Sequence, residues 1–466
     1  MSRTEIDSLV MFQNSQGRHG RGTLIHITRT SALIEIYNPY SILQLSEVIP
    51  NLVVLRGERE IYKGRAIASN IVTTGVMIIV TLTLTDTWSD LNGLRPGGVL
   101  KVETERFIND WTEGHSIQPD FQLVVGNIRN FLSELSHWLE EAEIEADSAR
   151  DKIASQEIAL EFYQEVNSPI APKLNDFFSE FEQYANQIEP DDIMKHKAFA
   201  RRALHPLIMC SPFAHRAYMK PLGFAGDYQM VNMMLEQSHI NPPSIYARII
   251  DAYHINASAP AAHRSRISMI EERLIQESER VIMEEERIFS VMNVGCGPAL
   301  EIQRYIRDNP LASQTAINLI DFNEETIEYA KLKISEAVQE SKHKPVTSFI
   351  QKSIDDLLRE AHQKDNSNVR SYDMVYCAGL FDYFSNQVCK RLVQLFYSWL
   401  RPGGLLTVTN VDPSNPVRYQ MEYLLEWNLV YRDEAEMRKL APENSSFSMA
   451  KDASGVNIFL DIRNND

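Results

Sequence analysis

The chain has 466 residues, 44% of them apolar and 23% charged, which is ordinary globular composition at a length that predicts two or three domains. A formal net charge of −17 disfavours a nucleic-acid partner, because such binding draws on cationic groups facing phosphate. No apolar run is long enough to cross a bilayer, and the first thirteen residues lack the pattern of a signal peptide.

The first part, to about residue 110, reads as short strands at 22–28, 32–37, 52–56, 61–69, 76–84 and 99–103. Threonine, valine and isoleucine dominate these strands and turn residues separate them, so a small antiparallel β-barrel is expected. From about 120 to 270 the period becomes helical. Leu123, Ile128, Phe131, Leu132, Leu135, Trp138 and Leu139 read as one face, which the acidic stretch 140–158 prolongs. That helix serves either as a seam for a homodimer or as packing for the helices after it. The four cysteines (Cys210, Cys296, Cys377, Cys389) are far apart and read as reduced thiols of a cytoplasmic protein. The histidines from His196 to His263 lack ligand-like spacing with acids, so no metal is expected.

From about 275 strands and helices alternate. Strands at 288–294, 316–320, 346–350, 374–377 and 405–409 frame helices at 300–307 and 324–340, the pattern of a Rossmann-like, doubly wound parallel α/β sheet. The first strand runs through Asn293-Val294 into Gly295-Cys296-Gly297-Pro298-Ala299. A Gly-x-Gly turn of this kind bends tightly and lets a ligand lie against bare backbone. Asp321 ends the second strand, 24 residues after Gly297, where an acid can accept ribose hydroxyls. Ser353-Ile354 follow the third strand and Ala378-Gly379 the fourth, while Arg401-Pro402-Gly403-Gly404 turns into the fifth.

This series resembles the class I S-adenosylmethionine-dependent methyltransferases over 275–466. The resemblance implies that S-adenosylmethionine is the cofactor. It also implies that Asn293, Gly295, Cys296 and Gly297 meet the cofactor's methionine end and that Asp321 binds its ribose. Phe322, Asn323, Ser353 and Ile354 would flank the adenine, and Ala378 and Gly379 would lie near the reactive methyl. The family often has an acid where Asn293 stands and a third glycine where Ala299 stands. A dinucleotide oxidoreductase is the alternative on the same sheet, and the Arg401–Gly404 turn speaks against it. Arg266, just before the first strand, either pairs the methionine carboxylate or forms a structural ion pair.

Three flanking segments carry a finer resemblance: Ala217-Tyr218-Met219-Lys220-Pro221-Leu222-Gly223-Phe224-Ala225-Gly226-Asp227-Tyr228, Ala378-Gly379-Leu380-Phe381-Asp382-Tyr383, and Glu426-Trp427-Asn428-Leu429-Val430-Tyr431-Arg432. They look like the bacterial methyltransferases of 3-hydroxypalmitic acid methyl ester biosynthesis, over 160–466. The expected reaction is O-methylation of a small-molecule or fatty-acid carboxylate or hydroxyl. The alternatives are a protein or RNA acceptor recruited by the barrel, or a cofactor-binding scaffold without catalysis. A carboxylate acceptor needs alignment more than a base, and Lys220, Tyr383, Tyr431 and Arg432 are candidates to hold it. Asp227, with Tyr228 beside it, and Asp382 are candidate bases towards a hydroxyl or amine. Each has a structural alternative: Asp227 as a helix cap, Tyr431-Arg432 as the seal of a lid.

The N-terminal barrel is similar to PilZ domains, the cyclic di-GMP receptors, whose signature is Arg-x-x-x-Arg followed by Asp/Asn-x-Ser-x-x-Gly. Here Arg18 and Arg21 are one residue too close, and the stretch His26-Ile27-Thr28-Arg29-Thr30-Ser31 lacks both the Asp/Asn and the glycine. The implied role is docking of a protein partner or dimerisation, without cyclic di-GMP. The expected domains are thus a PilZ-like barrel (1–110), a helical linker or substrate cap (120–270) and a methyltransferase domain (275–466).

Overall fold

The computed structural model describes residues 8–28, 30–36, 43–56, 59–73, 77–86, 117–148, 157–236, 244–362, 370–443 and 445–465, with Lys101, Thr104, Glu105, Ile108 and Pro242 besides. They form two compact units, and each is assembled from separated stretches of chain. The first is Met1–Ala225, His239–Asn256 and Pro416–Asn428; the second is Gly226–Ser238, Ala257–Asn415 and Leu429–Asp466.

The first unit begins with a closed antiparallel barrel of six strands. These are β1 (Ser8–Gln13), β2 (His19–Ile27), β3 (Ser31–Ile36), β4 (Val48–Arg56), β5 (Arg59–Thr73) and β6 (Ile78–Leu84), in the order β1-β2-β3-β6-β5-β4. Alternation builds it: every second residue of β3 points inward, and Val10, Ile34, Leu52, Val54, Tyr62, Val80 and Leu82 fill the middle. The sequence reading misses β1, whose run Leu9-Val10-Met11-Phe12 is too short to show a period. The expected strand at 99–103 lies outside the described residues apart from Lys101, which is helical.

Helices follow in the same unit. In Pro119–Ser148, Phe121, Val125, Ile128, Leu132, Leu135 and Leu139 form the buried stripe. Leu123 and Trp138 were expected on that stripe and are 63% and 54% exposed. Leu123 stands five residues before Ile128, a spacing that rotates it away from the buried face. The acidic stretch expected to prolong this helix to residue 158 lies partly outside the described residues; helix is described over Pro119–Ser148 and over Glu157–Ala185.

Residues 416–428 join this unit although they are cut from the C-terminal sequence. Glu182 accepts from the backbone N–H groups of Tyr419 (2.9 Å) and Gln420 (2.7 Å), at the start of the helix Arg418–Leu424. Glu426 accepts from Arg201 and from Thr83 Oγ1 of the barrel, and Ser46 Oγ donates to the Asn428 carbonyl. The contiguous domain expected over 275–466 is therefore interrupted.

The second unit is a seven-stranded sheet with helices on it. Its strands are β7 (Phe289–Val294), β8 (Thr315–Asp321), β9 (Val346–Gln351), β10 (Tyr372–Cys377), β11 (Leu400–Val411), β12 (Ser446–Lys451) and β13 (Asn457–Arg463), in the order β12-β13-β11-β10-β7-β8-β9. β7 pairs in parallel with β8 and β10, whereas β13 runs antiparallel to both β11 and β12. Strand order reverses outward from β7, which lies between β8 and β10, so the crevice at its carboxyl end is the natural ligand position. Apolar clusters cover both faces: Met292, Val375, Leu406 and Phe396 belong to one, Val291, Leu319, Tyr376 and Ile302 to the other. No described helix is long and apolar enough to cross a membrane.

Candidate cofactor site

β7 delivers the chain to its carboxyl end at the middle of the sheet, and the turn there is left-handed three times. Gly295 has φ 73°, Gly297 φ 52° and Ala299 φ 53°, before the helix Leu300–Asp308 begins. A Cβ at Gly295 would fall 2.5 Å from Leu380 Cδ1, so glycine is required there. A Cβ at Gly297 would meet nothing within 4 Å: its main chain borders open space. Ala299 adopts the same left-handed conformation with a side chain, at a cost of about 1 kcal/mol.

The turn is tied to the tip of β8. The N–H groups of Gly295 (2.8 Å) and Cys296 (3.0 Å) donate to the Ile320 carbonyl, and that of Gly297 donates to Asp321 Oδ2 at 3.2 Å. Asp321 Oδ1 accepts from the Asn323 N–H at 3.1 Å. Burial raises the Asp321 carboxyl above the usual range, opposed by these backbone donors.

Around the expected adenine edge, two side chains cap helices. Asn323 Oδ1 accepts from Thr326 N–H (2.9 Å) at the start of Glu324–Ser341. Ser353 Oγ donates to Asp356 Oδ2 at 2.5 Å and accepts from the Asp356 N–H. Ile354 packs into the core beside Leu357, while Phe322 is half-buried.

At the end of β10, Gly379 has φ 103° and its N–H donates to Thr409 Oγ1 at 3.1 Å. The space beside its α-carbon is taken by Arg266, whose Nη2 lies 3.0 Å from where a Cβ would stand. Arg266 is 5% exposed; it contacts His263 Nδ1 at 2.5 Å, and its Nη1 lies 3.7 Å from Asp382 Oδ2. Its Nε is buried with no hydrogen-bond partner. Burial and the neighbouring arginines push His263 well below its ordinary pKa, so a neutral ring accepting from Arg266 fits.

The seven residues considered for acceptor chemistry part company. Asp382 Oδ1 accepts from the Val411 N–H at 2.8 Å, and its backbone carbonyl accepts from Val430 N–H at 2.7 Å. Arg432 is fully buried: Nε donates to Asn386 Oδ1 (2.7 Å), Nη1 to the Phe381 carbonyl (2.8 Å) and Asn410 Oδ1 (2.5 Å), and Nη2 to the Phe384 carbonyl (2.5 Å). A guanidinium spent on four protein oxygens staples the turn after β10 to the end of β11, which favours the structural alternative for Arg432 over an acceptor anchor. Tyr431 packs beside Ala262, Val411 and Val456, and Tyr383 is half-buried at the end of the 3-10 turn Leu380–Tyr383. Asp227 Oδ1 accepts from the Met230 N–H at 2.8 Å, as a cap of the helix Tyr228–Glu236. Tyr228 Oη donates to Glu325 Oε1 at 2.7 Å. Lys220 belongs to the other unit, where Nζ donates to the Leu425 carbonyl at 2.9 Å.

Burial raises the Asp382 carboxyl to about 6 from an ordinary value of 3.8, with Arg266 opposing. The folded state therefore keeps this proton to a higher pH than the unfolded chain does. The stability it contributes is complete below about pH 4 and is lost as pH rises through about 6. Relative to Asp382→Asn, the wild type should lose about 3 kcal/mol across that window, as read by urea unfolding at a series of pH values. A difference that stays flat with pH would contradict the buried-charge assignment.

One residue that the sequence reading missed is Glu301, buried on the first turn of the helix after the glycines. Its Oε1 accepts from Asn293 Nδ2 (3.0 Å) and Tyr376 Oη (2.7 Å). The signal was present: an acid stands eight residues after Asn293, in the first turn of the helix that follows the glycines.

Residues 286–457 match the family model described as a methyltransferase domain. No protein with curated annotation matches the chain. Among solved structures, the chain is similar to a possible exported protein from Bordetella parapertussis (15% identity, 54% of this chain and 86% of that one, TM-score 0.40). It is also similar to magnesium protoporphyrin IX methyltransferase from Synechocystis PCC 6803 with bound S-adenosylhomocysteine (14%, 44% and 84%, TM-score 0.33). A third is an N-methyltransferase from Bradyrhizobium japonicum WM9 (15%, 51% and 98%, TM-score 0.30). The turn at Gly295–Gly297 and the acid at Asp321 both lie inside the segment that matches the methyltransferase-domain model.

Proposed function

We propose that the protein O-methylates a carboxylate on a small-molecule or fatty-acid acceptor, with the barrel serving as a docking or regulatory module. S-adenosylmethionine supplies an electrophilic methyl group for in-line displacement, and the protein's part is to align the acceptor and exclude water. Asp321 would hold the ribose, the backbone at Gly297 would lie along the cofactor, and Arg266 Nε would take the methionine carboxylate. The observation that favours a carboxylate is the engagement of both candidate acids. Asp227 caps a helix, and Asp382 is bonded to Val411 and paired with Arg266. An acceptor that arrives already ionised needs no base from either. Tyr383 is the candidate to orient it.

The direct test is transfer of labelled methyl from S-adenosylmethionine into a cell extract separated into lipid, protein and RNA fractions. Alkali-labile label in the small-molecule or lipid fraction supports the reading; label confined to protein or RNA contradicts it.

The barrel is read as PilZ-like with its nucleotide site lost. What supports this is the closed six-stranded topology together with Arg18 in the turn between β1 and β2 and Arg21 on β2, only three positions apart. Calorimetric titration with cyclic di-GMP should give no saturable binding, and a micromolar isotherm would overturn this part of the reading.

A further inference from the structure

The methionine end of S-adenosylmethionine is a zwitterion, and the crevice holds two buried opposite charges that are not bonded to each other. One is Arg266, with Nε left without a partner. The other is Glu301, close enough to Arg266 for each to feel the other's field. Both side-chain hydrogen bonds to Glu301 fall on Oε1, from Asn293 on β7 and Tyr376 on β10. Two strands and a helix thus fix where the carboxylate stands, and neither bond uses Oε2.

Resting on the proposed cofactor, we infer that Glu301 is the carboxylate that receives the cofactor's α-ammonium group, with Asn293 and Tyr376 acting as the donors that aim it. Here the strand offers an amide, the helix reaches back 3.0 Å with the acid, and the amide becomes a positioning donor. A buried carboxylate held by two neutral side-chain donors and its own backbone N–H has no cation bonded to it, and an ammonium ion would supply one.

The experiment uses the full chain and two ligands, S-adenosylhomocysteine and 5′-methylthioadenosine, which lacks the amino-acid end. Glu301→Gln keeps shape and Oε1 as an acceptor but removes the charge. It should weaken S-adenosylhomocysteine by about tenfold and leave methylthioadenosine within about twofold, by calorimetry. The double change Asn293→Asp with Glu301→Gln moves the charge to the adjacent position and should recover most of that loss. Unchanged S-adenosylhomocysteine affinity in Glu301→Gln, or equal weakening of both ligands, would overturn the assignment and leave Glu301 as a tie between helix and strands. If the double variant does not fold, the ratio of the two ligands in Glu301→Gln decides. A wild-type protein that binds neither ligand is a different failure, that of the cofactor reading itself.

Discussion

Asp321→Ala should weaken S-adenosylmethionine binding at least about tenfold, since one charge-assisted hydrogen bond is worth roughly 1.5–3 kcal/mol. Two effects add. The carboxylate stands at the tip of β8, where ribose hydroxyls would lie, and it also holds the Gly297 and Asn323 N–H groups that shape the turn. Asp321→Asn separates them in part: its one amide oxygen keeps one of the two backbone donors, and the charge is gone. Its loss should be smaller and of the same sign. Calorimetry showing unchanged affinity in Asp321→Ala would contradict the ribose assignment.

Arg432→Ala should destabilise the methyltransferase unit by about 4 kcal/mol or more. The guanidinium is fully buried, and its removal leaves the carbonyls of Phe381 and Phe384 and the side-chain oxygens of Asn386 and Asn410 without that donor. Water can reach exposed Asn386, but each of the three buried acceptors so stranded costs about 1–3 kcal/mol, and relaxation recovers part of the sum. Arg432→Lys should recover less than half, because one ammonium group cannot serve oxygens arranged for a planar fork. Urea unfolding is the readout. A stability loss below about 1 kcal/mol, with a raised KM for the acceptor, would return Arg432 to the role of substrate anchor.

Much of the second unit was legible because local signals agreed. The apolar strand, the Gly-x-Gly turn and the helix after it lie at 289–308 much as the spacing predicts, and Asp321 ends β8 beside the turn. β12 and β13 were not read. β12 presents a largely exposed Ser-Phe-Ser-Met-Ala-Lys with no clean alternation, and it is held by pairing with β13. Arg432 carries no local mark of its role, since its partners stand 22 to 51 residues earlier in the chain. The passage of 416–428 into the other unit is equally silent, because it depends on Glu182, Arg201 and Ser46 far away in sequence. Asp227 shows the reverse case: the helix cap suggested by its place after Gly226 is what its carboxylate does. Glu301 was overlooked because the family pattern directs attention to position 293, and only the fold brings Asn293, Tyr376 and the helix together.

A crystal structure of the full chain with S-adenosylhomocysteine addresses the account at its root. The account predicts ligand density along the backbone of Gly295–Gly297, with ribose hydroxyls on Asp321 and the amino-acid carboxylate on Arg266. Density anywhere else on the sheet, or a crevice closed by Leu380 against Gly295 with the ligand excluded, would contradict it.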